Sequence, residues 1–572
     1  MTHVRACFAW VLLAAVVGTS CIVATYSRLS HTWDEPTHVA AGLELLQYGR
    51  YTYQTENPPL SRLTIAVWPR LAGARVPEAN GALVLSPFAA GDGIFQRNAD
   101  SIRNVTQARV GTLPWYWACI ALTWVLAGGR RDPSVAALAA AAVATITPVV
   151  GHAGYATTDV PFVAMFLVVL VAWRRFLERP DWRRAAWMGL ATGAAIATKF
   201  STLLFLPPVA IAIAAAQFWS SRRQWLPNVL RLASLRLVAI FTLITLVTVW
   251  GSYGFRIGRM ADLPPNFSIY GKFPTSGPLA ALAQWRIPAH EFVHGLQFLN
   301  AHTAAGHRSL MFGEFSQRGF LSYYPVVLAT KTPLPFMLFA IVGCGALFRR
   351  RLIPSAPWAR GLAIGAVGLL AMATTSPINI GVRHVIVLYP LLAIAAAYGW
   401  MRWSESSRHR RVLVAVSVAL IAAQTVLLVS SVPYQSSYYN ALAGSEPAHV
   451  SSDSDFDWGQ DALALESYFT THPVPALQLQ LQGTVNPCKL RLPPFTALGT
   501  APSAGWIAVS ERVYRLNRVG RTDPCSLTAG PGPRPIGWLD WLKPLEPVTV
   551  IGKTIRLYHV TEKDLPPGLA PH

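Results

Sequence analysis

Hydrophobic positions in this chain come in long runs rather than in alternation. Apolar stretches lie at 8–26, 109–128, 134–150, 160–177, 185–198, 202–219, 236–252, 325–347, 360–376, 384–401 and 412–431. Each approaches the roughly 20 residues that a helix needs to cross a bilayer. The runs therefore predict about eleven transmembrane helices. Two amphipathic stretches in the polar loop after the first run, 36–48 and 58–71, predict helices lying at the membrane surface, the second opened by Pro58-Pro59. From 433 the pattern changes. The chain becomes polar and Pro-rich, and 476–481, 506–510 and 549–560 show the alternation of strands. The expected fold is an α-helical polytopic membrane domain over 1–431, with extracytoplasmic loops 27–108 and 253–324. A small extracytoplasmic α/β domain follows over 432–572.

Composition supports the membrane reading. The chain is 52% hydrophobic and only 13% charged, against roughly 25% charged in soluble proteins. Its net charge of +21 would ordinarily raise nucleic acid as a partner. The arginines have a simpler explanation, because they cluster between apolar runs: Arg130-Arg131; Arg174, Arg175, Arg183 and Arg184; Arg222, Arg223 and Arg231; Arg349-Arg350-Arg351; Arg402, Arg408, Arg410 and Arg411. Short basic loops mark the cytoplasmic face, so no nucleic acid is needed to account for them. A cytoplasmic N-terminus puts every cluster on that face of an inner or plasma membrane. An odd number of spans then puts the C-terminus outside. The first run is read as a retained helix, since it is long and no A-x-A cleavage site follows it. Cys7, Cys21, Cys119 and Cys344 lie in or beside apolar runs as small buried hydrophobes. Cys488 and Cys525 share the outer tail, where a disulfide could form.

The same topology gathers the polar outliers on the outer side. They are Asp34, Glu35 and His38 after the first span, Glu56 before Pro58-Pro59, Asp159 in Thr158-Asp159-Val160-Pro161, Lys199 in a short turn, Lys331 in Lys331-Thr332-Pro333, and Arg383-His384. Ionisable residues at spans are costly and mark functional sites. Cations can hold a phosphate, and a carboxylate can accept a proton from an attacking hydroxyl. Each residue also has a plainer role. Asp34-Glu35-Pro36 and Asp159-Val160-Pro161 suit helix N-termini, Lys199 and Lys331 could snorkel to headgroups, and Arg383 could anchor a helix at the interface.

These motifs carry a family likeness. Trp33-Asp34-Glu35-Pro36-Thr37-His38, Glu56-Asn57-Pro58-Pro59-Leu60, Thr158-Asp159-Val160-Pro161, the Lys199 turn, Lys331-Thr332-Pro333-Leu334-Pro335 and Gly381-Val382-Arg383-His384 together resemble the GT-C glycosyltransferases, within them the protein O-mannosyltransferase and aminoarabinose transferase group. The resemblance covers about 1–435. It implies a polyprenyl-phosphate-linked sugar as donor, an extracytoplasmic protein, lipid or glycan as acceptor, and inversion at the anomeric carbon. It implies Asp34 as catalytic base, Asp159 as a second acid, and Lys199, Lys331 and Arg383 as carrier-phosphate contacts. His38, Glu56 and His384 are further substrate-binding candidates. No spacing excludes Glu35 as the base. Some relatives carry Lys where this chain has Asn57, so other cations must meet the phosphate here. The sugar is expected to be of hexose or mannose type. No cofactor is required, although Asp159 could hold magnesium or manganese. Farther on, Tyr439-Asn440-Ala441-Leu442-Ala443-Gly444 and Asp457-Trp458-Gly459-Gln460-Asp461 resemble a signature of a bacterial subgroup. Its carboxylates and Trp458 could contact sugar or could be turn residues.

Other readings remain at this stage. A transporter or flippase of lipid-linked sugars would use similar charges, but neither an internal repeat nor midplane charges are visible. His290-Glu291-Phe292-Val293-His294 matches the H-E-x-x-H zinc-protease pattern, without the Gly and His that follow in metzincins. Asp453-x-Asp455-x-Asp457 fails as a calcium loop, with Trp458 and Ala464 where Gly and Glu are needed.

Overall fold

A computed structural model describes residues 2–566 apart from 80–81, 84–85, 96–100, 221–233, 263–275, 350–352, 354 and 527–531. Arg222, Arg223, Arg231, Arg350 and Arg351 lie outside the described residues. The protein is a multi-pass helical bundle carrying a sheet domain at its C-terminal end. All eleven apolar runs are helical. Among the described residues, six helices have the length and composition to cross a membrane, or eight if two bent pairs are each one span. Others are short, such as Leu113–Leu126 and Trp182–Ile196.

The two bends coincide with prolines. Pro133–Thr145 and Thr147–Ala153 meet at 59°, and Tyr323–Lys331 and Leu334–Leu347 meet at 113°. Pro333 stands at the second break; its ring excludes the helical hydrogen bond and biases Thr332 away from the α region. Pro133–Thr145 is the bundle's axis. It is buried at every position from 135 to 145, and its run of alanines lets Thr2–Val23, Leu113–Leu126, Leu388–Ser406 and Arg410–Ser430 pack closely around it. Leu235–Ser252 is the opposite case, with only Val249 buried, as expected of a helix facing lipid.

Helix ends that the topology assigns to one face do meet. Asp159, Lys199 and Arg383 share one end of the bundle. Arg130, Arg131, Arg174, Arg175 and Arg402 share the other. Of the two stretches expected at the membrane surface, Pro59–Leu71 is helical, but Glu35–Tyr48 is buried throughout 35–44. Pro59–Leu71 crosses it at Gly42, where a Cβ would stand 2.3 Å from the Arg62 carbonyl oxygen. This helix is thus a packed layer under the site.

The C-terminal sheet has five strands in the order Thr549–Ile551, Ile555–Val560, Gly505–Ser510, Leu477–Gln480, Phe495–Ala497. The first two pairings are antiparallel and the last two parallel. Alternation separates its faces: Ala508, Ile555 and Leu557 pack with Leu465 and Phe469, while Ile507, Val509, Tyr558 and Val560 pack with Val513 and Leu539. Cys488 and Cys525 are bonded to each other.

Candidate active site

Asp34 immediately precedes Glu35–Tyr48 but makes no side-chain cap to that helix. Its Oδ2 instead accepts from Arg383 Nη1 at 2.8 Å. Arg383 Nη1 also lies 3.9 Å from Asp159 Oδ2. Asp159, in the first turn of Asp159–Glu178, accepts from Lys199 Nζ at 2.5 Å and Thr157 Oγ1 at 3.1 Å. Two acids and two cations from four distant segments thus form one chain of contacts. Burial acts to lower the Arg383 pKa, but the surrounding charges of Asp34, Asp159 and Asp453 outweigh it and raise it, so the guanidinium stays charged.

This chain of contacts borders a cavity of about 660 Å³. Of the residues singled out in the sequence, Asp34, His38, Glu56, Lys199, Arg383 and His384 line it. His38 Nδ1 accepts from Arg62 Nε at 3.0 Å. Burial, helped by the Arg62 charge, pushes the His38 imidazole well below its usual range, so it is a neutral ring. Glu56 Oε2 is shut away from solvent without a hydrogen-bond partner. Burial pushes the Glu56 carboxyl up to about 7, and the Asp34 charge adds to the rise. His384 stacks on Tyr324, ring centroids 5.6 Å apart.

Glu35 and Lys331 are placed elsewhere. Glu35 is fully buried and accepts from Arg109 Nε at 2.8 Å and Nη2 at 2.9 Å, from Thr32 N at 2.7 Å and from Ala156 N at 2.8 Å. Burial would raise its pKa; the Arg109 charge and these hydrogen bonds outweigh it and hold it below the usual value. Both carboxylate oxygens are taken up, away from the cavity lining. Lys331 is equally enclosed. Its Nζ donates to the carbonyls of Ser436 and Asp455, each at 2.5 Å, and lies 4.3 Å from the Tyr439 ring centroid. Lys331 lies outside the cavity lining, at the end of Tyr323–Lys331 and beside the break at Pro333.

The Asp453–Asp461 stretch, whose role the sequence left open, meets the first motif directly. Trp33 N donates to Trp458 O at 3.1 Å and Ser30 N to Gln460 O at 2.9 Å. The Trp458 ring lies 4.3 Å from the Arg383 guanidinium, a cation–π contact. Asp455 accepts from Val382 N at 2.8 Å. Gly381, at φ +92°, is required there, because a Cβ would come within 2.5 Å of the Asp455 carboxylate. Asp457 accepts from Arg512 N and Asp461 from the backbone of Lys553 and Thr554. These two acids tie the stretch to the sheet domain. Asp453, Trp458, Gln482 and Arg512 supply one wall of the cavity.

The H-E-x-x-H residues go to different partners: His294 Nδ1 lies 2.5 Å from Thr55 Oγ1, and Glu291 lies 3.2 Å from Arg256 Nε and 3.1 Å from His290. No group of three or more His, Cys, Asp or Glu side chains among the described residues is placed to hold a metal ion.

Residues 93–250 match the family model of dolichyl-phosphate-mannose-protein mannosyltransferases. The resemblance to the GT-C glycosyltransferases stands. No curated protein matches the chain. Similar solved structures include ArnT from Cupriavidus metallidurans bound to undecaprenyl phosphate, 14% identical, with a TM-score of 0.47 and coverage of 98% of this chain and 99% of that one. Another is the oligosaccharyltransferase AglB from Archaeoglobus fulgidus with an inhibitory peptide and a dolichol-phosphate, 10% identical, TM-score 0.44, covering 89% of this chain and 70% of that one.

Proposed function

We propose that the protein transfers a sugar, of hexose or mannose type, from a polyprenyl-phosphate carrier to a hydroxyl of an extracytoplasmic protein, lipid or glycan. The observation that carries this reading is the convergence of Asp34, Lys199 and Arg383 on one cavity. The acceptor oxygen attacks the anomeric carbon from the face opposite the phosphate, and the configuration inverts. Asp34 takes the hydroxyl proton as the new C–O bond forms. The bond from the anomeric carbon to the phosphate oxygen breaks, and polyprenyl phosphate leaves with its negative charge. Lys199 and Arg383 stabilise the second of the phosphate's two negative charges, which the phosphodiester donor lacks and which develops as the bond breaks. Asp159 holds both cations at the reacting level. In this reading the reaction face is the outer one, and the N-terminus is cytoplasmic.

Asp34 and Asp159 face protein cations; the scheme requires no cofactor, and Asp159 is the acid that would hold a magnesium or manganese ion. Mass spectrometry of glycolipids and glycoproteins from a strain lacking the protein tests the proposal. One glycoconjugate should lose a single sugar while its lipid-linked donor accumulates. Unchanged glycoconjugates together with unchanged donor would overturn it.

A further inference from the structure

A second cavity, of about 750 Å³, opens at the other end of the bundle. Asp159 and Arg175 are on the same helix, and at 1.5 Å per residue the two ends are about 24 Å apart. Arg130, Arg131, Arg174, Arg175 and Arg402 line it, against the acids Asp132 and Glu178. Arg174 and Arg402 are engaged with protein. Arg174 donates to Leu126 O at 3.0 Å and lies 3.5 Å from Glu178, and Arg402 pairs with Asp132 and Glu405. Arg130, Arg131 and Arg175 have no acidic partner among the described residues.

Topology alone asks only for positive charge in these loops. It does not ask for a cavity, nor for an unmet donor on a residue of its wall. Trp358 lines this cavity and lies under Arg174, 5.2 Å from the guanidinium. Its indole Nε1 is buried without a hydrogen-bond partner. An unpartnered buried N–H beside surplus guanidinium groups suits an anionic oxygen acceptor. Val125, 47% exposed, also lines the cavity, giving an attached hydrocarbon chain an apolar way out to the bilayer.

We infer that this cavity binds the phosphate headgroup of an anionic glycerophospholipid, on Arg130, Arg131, Arg175 and the Trp358 indole N–H. Basic pockets between transmembrane helices are suited to such headgroups. The site is separate from the transfer cavity, so the inference does not depend on the proposed reaction.

Native mass spectrometry of the full-length protein, with phosphatidylglycerol and phosphatidylcholine offered in equal amounts, tests it. The wild type should retain phosphatidylglycerol preferentially. The double variant Arg131→Gln/Arg175→Gln should lower that preference by about tenfold or more, given two lost arginine–lipid contacts. Trp358→Phe, which keeps a ring and removes the donor, should lower it less. Equal retention of both lipids by the wild type, or an unchanged preference in both variants, would overturn the site. Displacement of phosphatidylglycerol by inorganic phosphate at equal concentration would overturn the lipid assignment in favour of a free anion.

Discussion

Asp34 and Glu35 are consecutive, and each pairs with an arginine distant in sequence. The Glu35–Arg109 pair is 0% exposed on both side chains, whereas Asp34 is 27% and Arg383 13% exposed. Glu35 has both oxygens hydrogen-bonded to protein. Asp34 has one oxygen held by Arg383, and its carboxylate borders the cavity. Lys331 and Lys199 differ in the same way: Lys331 is wrapped in carbonyls, while Lys199 holds an acid at the cavity edge. In the proposed reaction the difference separates scaffold from chemistry. A buried pair with no remaining valence fixes a loop, while a half-open pair can exchange a proton or a counter-ion.

The strongest way to break this comparison is to neutralise each acid in turn. Asp34→Asn should reduce transfer by about 10²–10⁴-fold, the usual contribution of a general base, with little change in thermal unfolding. Wild-type activity in that variant would remove Asp34 from the base role. Glu35→Gln should do the converse. It leaves the Arg109 guanidinium buried without its counter-ion, a loss of about 3–5 kcal/mol when one partner of a buried pair is removed. Unfolding midpoints in detergent measure this. A stable Glu35→Gln protein devoid of transfer would exchange the two roles.

A smaller effect sharpens the boundary between the two pairs. Trp458 lies against the Arg383 guanidinium, and its backbone holds the Trp33 amide. Trp458→Ala removes the ring and keeps the backbone bond. A partly desolvated cation–π contact is worth about 1–2 kcal/mol, so transfer should fall by about tenfold. Trp458→Phe should recover part of it. Equal losses in both variants would show that an aromatic face over Arg383 is not what transfer depends on.

Much of this arrangement was legible in the sequence, for a definite reason. Hydrophobic runs report helices, and alternation of basic and polar loops reports which helix ends share a side. That logic puts Asp34, Asp159, Lys199 and Arg383 on one side of the bundle. It could not find Arg109 or Arg62, because nothing local marks a partner 74 residues from Glu35 or 24 from His38. It placed Lys331 with the phosphate contacts because a lysine at a span looks the same whether it faces a cavity or a carbonyl cage. The 113° bend decides that, and Pro333 announces a break without its direction. The Asp-Trp-Gly-Gln-Asp stretch was distinctive as a motif, but its meaning lay in backbone pairing with Ser30 and Trp33, over 400 residues away.

A pH-dependent effect concerns Glu56, which shares the cavity with Asp34 but has an unpartnered oxygen. Its carboxyl titrates near 7 in the fold against an ordinary 4.5. Between those values the folded chain binds a proton that the unfolded chain does not, so Glu56 makes stability fall as pH rises through that window and stay level above it. Glu56→Gln removes this contribution. Thermal unfolding from pH 4 to 8 should therefore show the variant gaining on the wild type between about 4.5 and 7, with a constant offset beyond. Parallel curves would mean that a partner in the folded protein meets the Glu56 charge, and the carboxylate would then belong with Glu35 as scaffold. A curve that converges as expected instead keeps Glu56 on the open side of the comparison, as a proton held close to the proposed base.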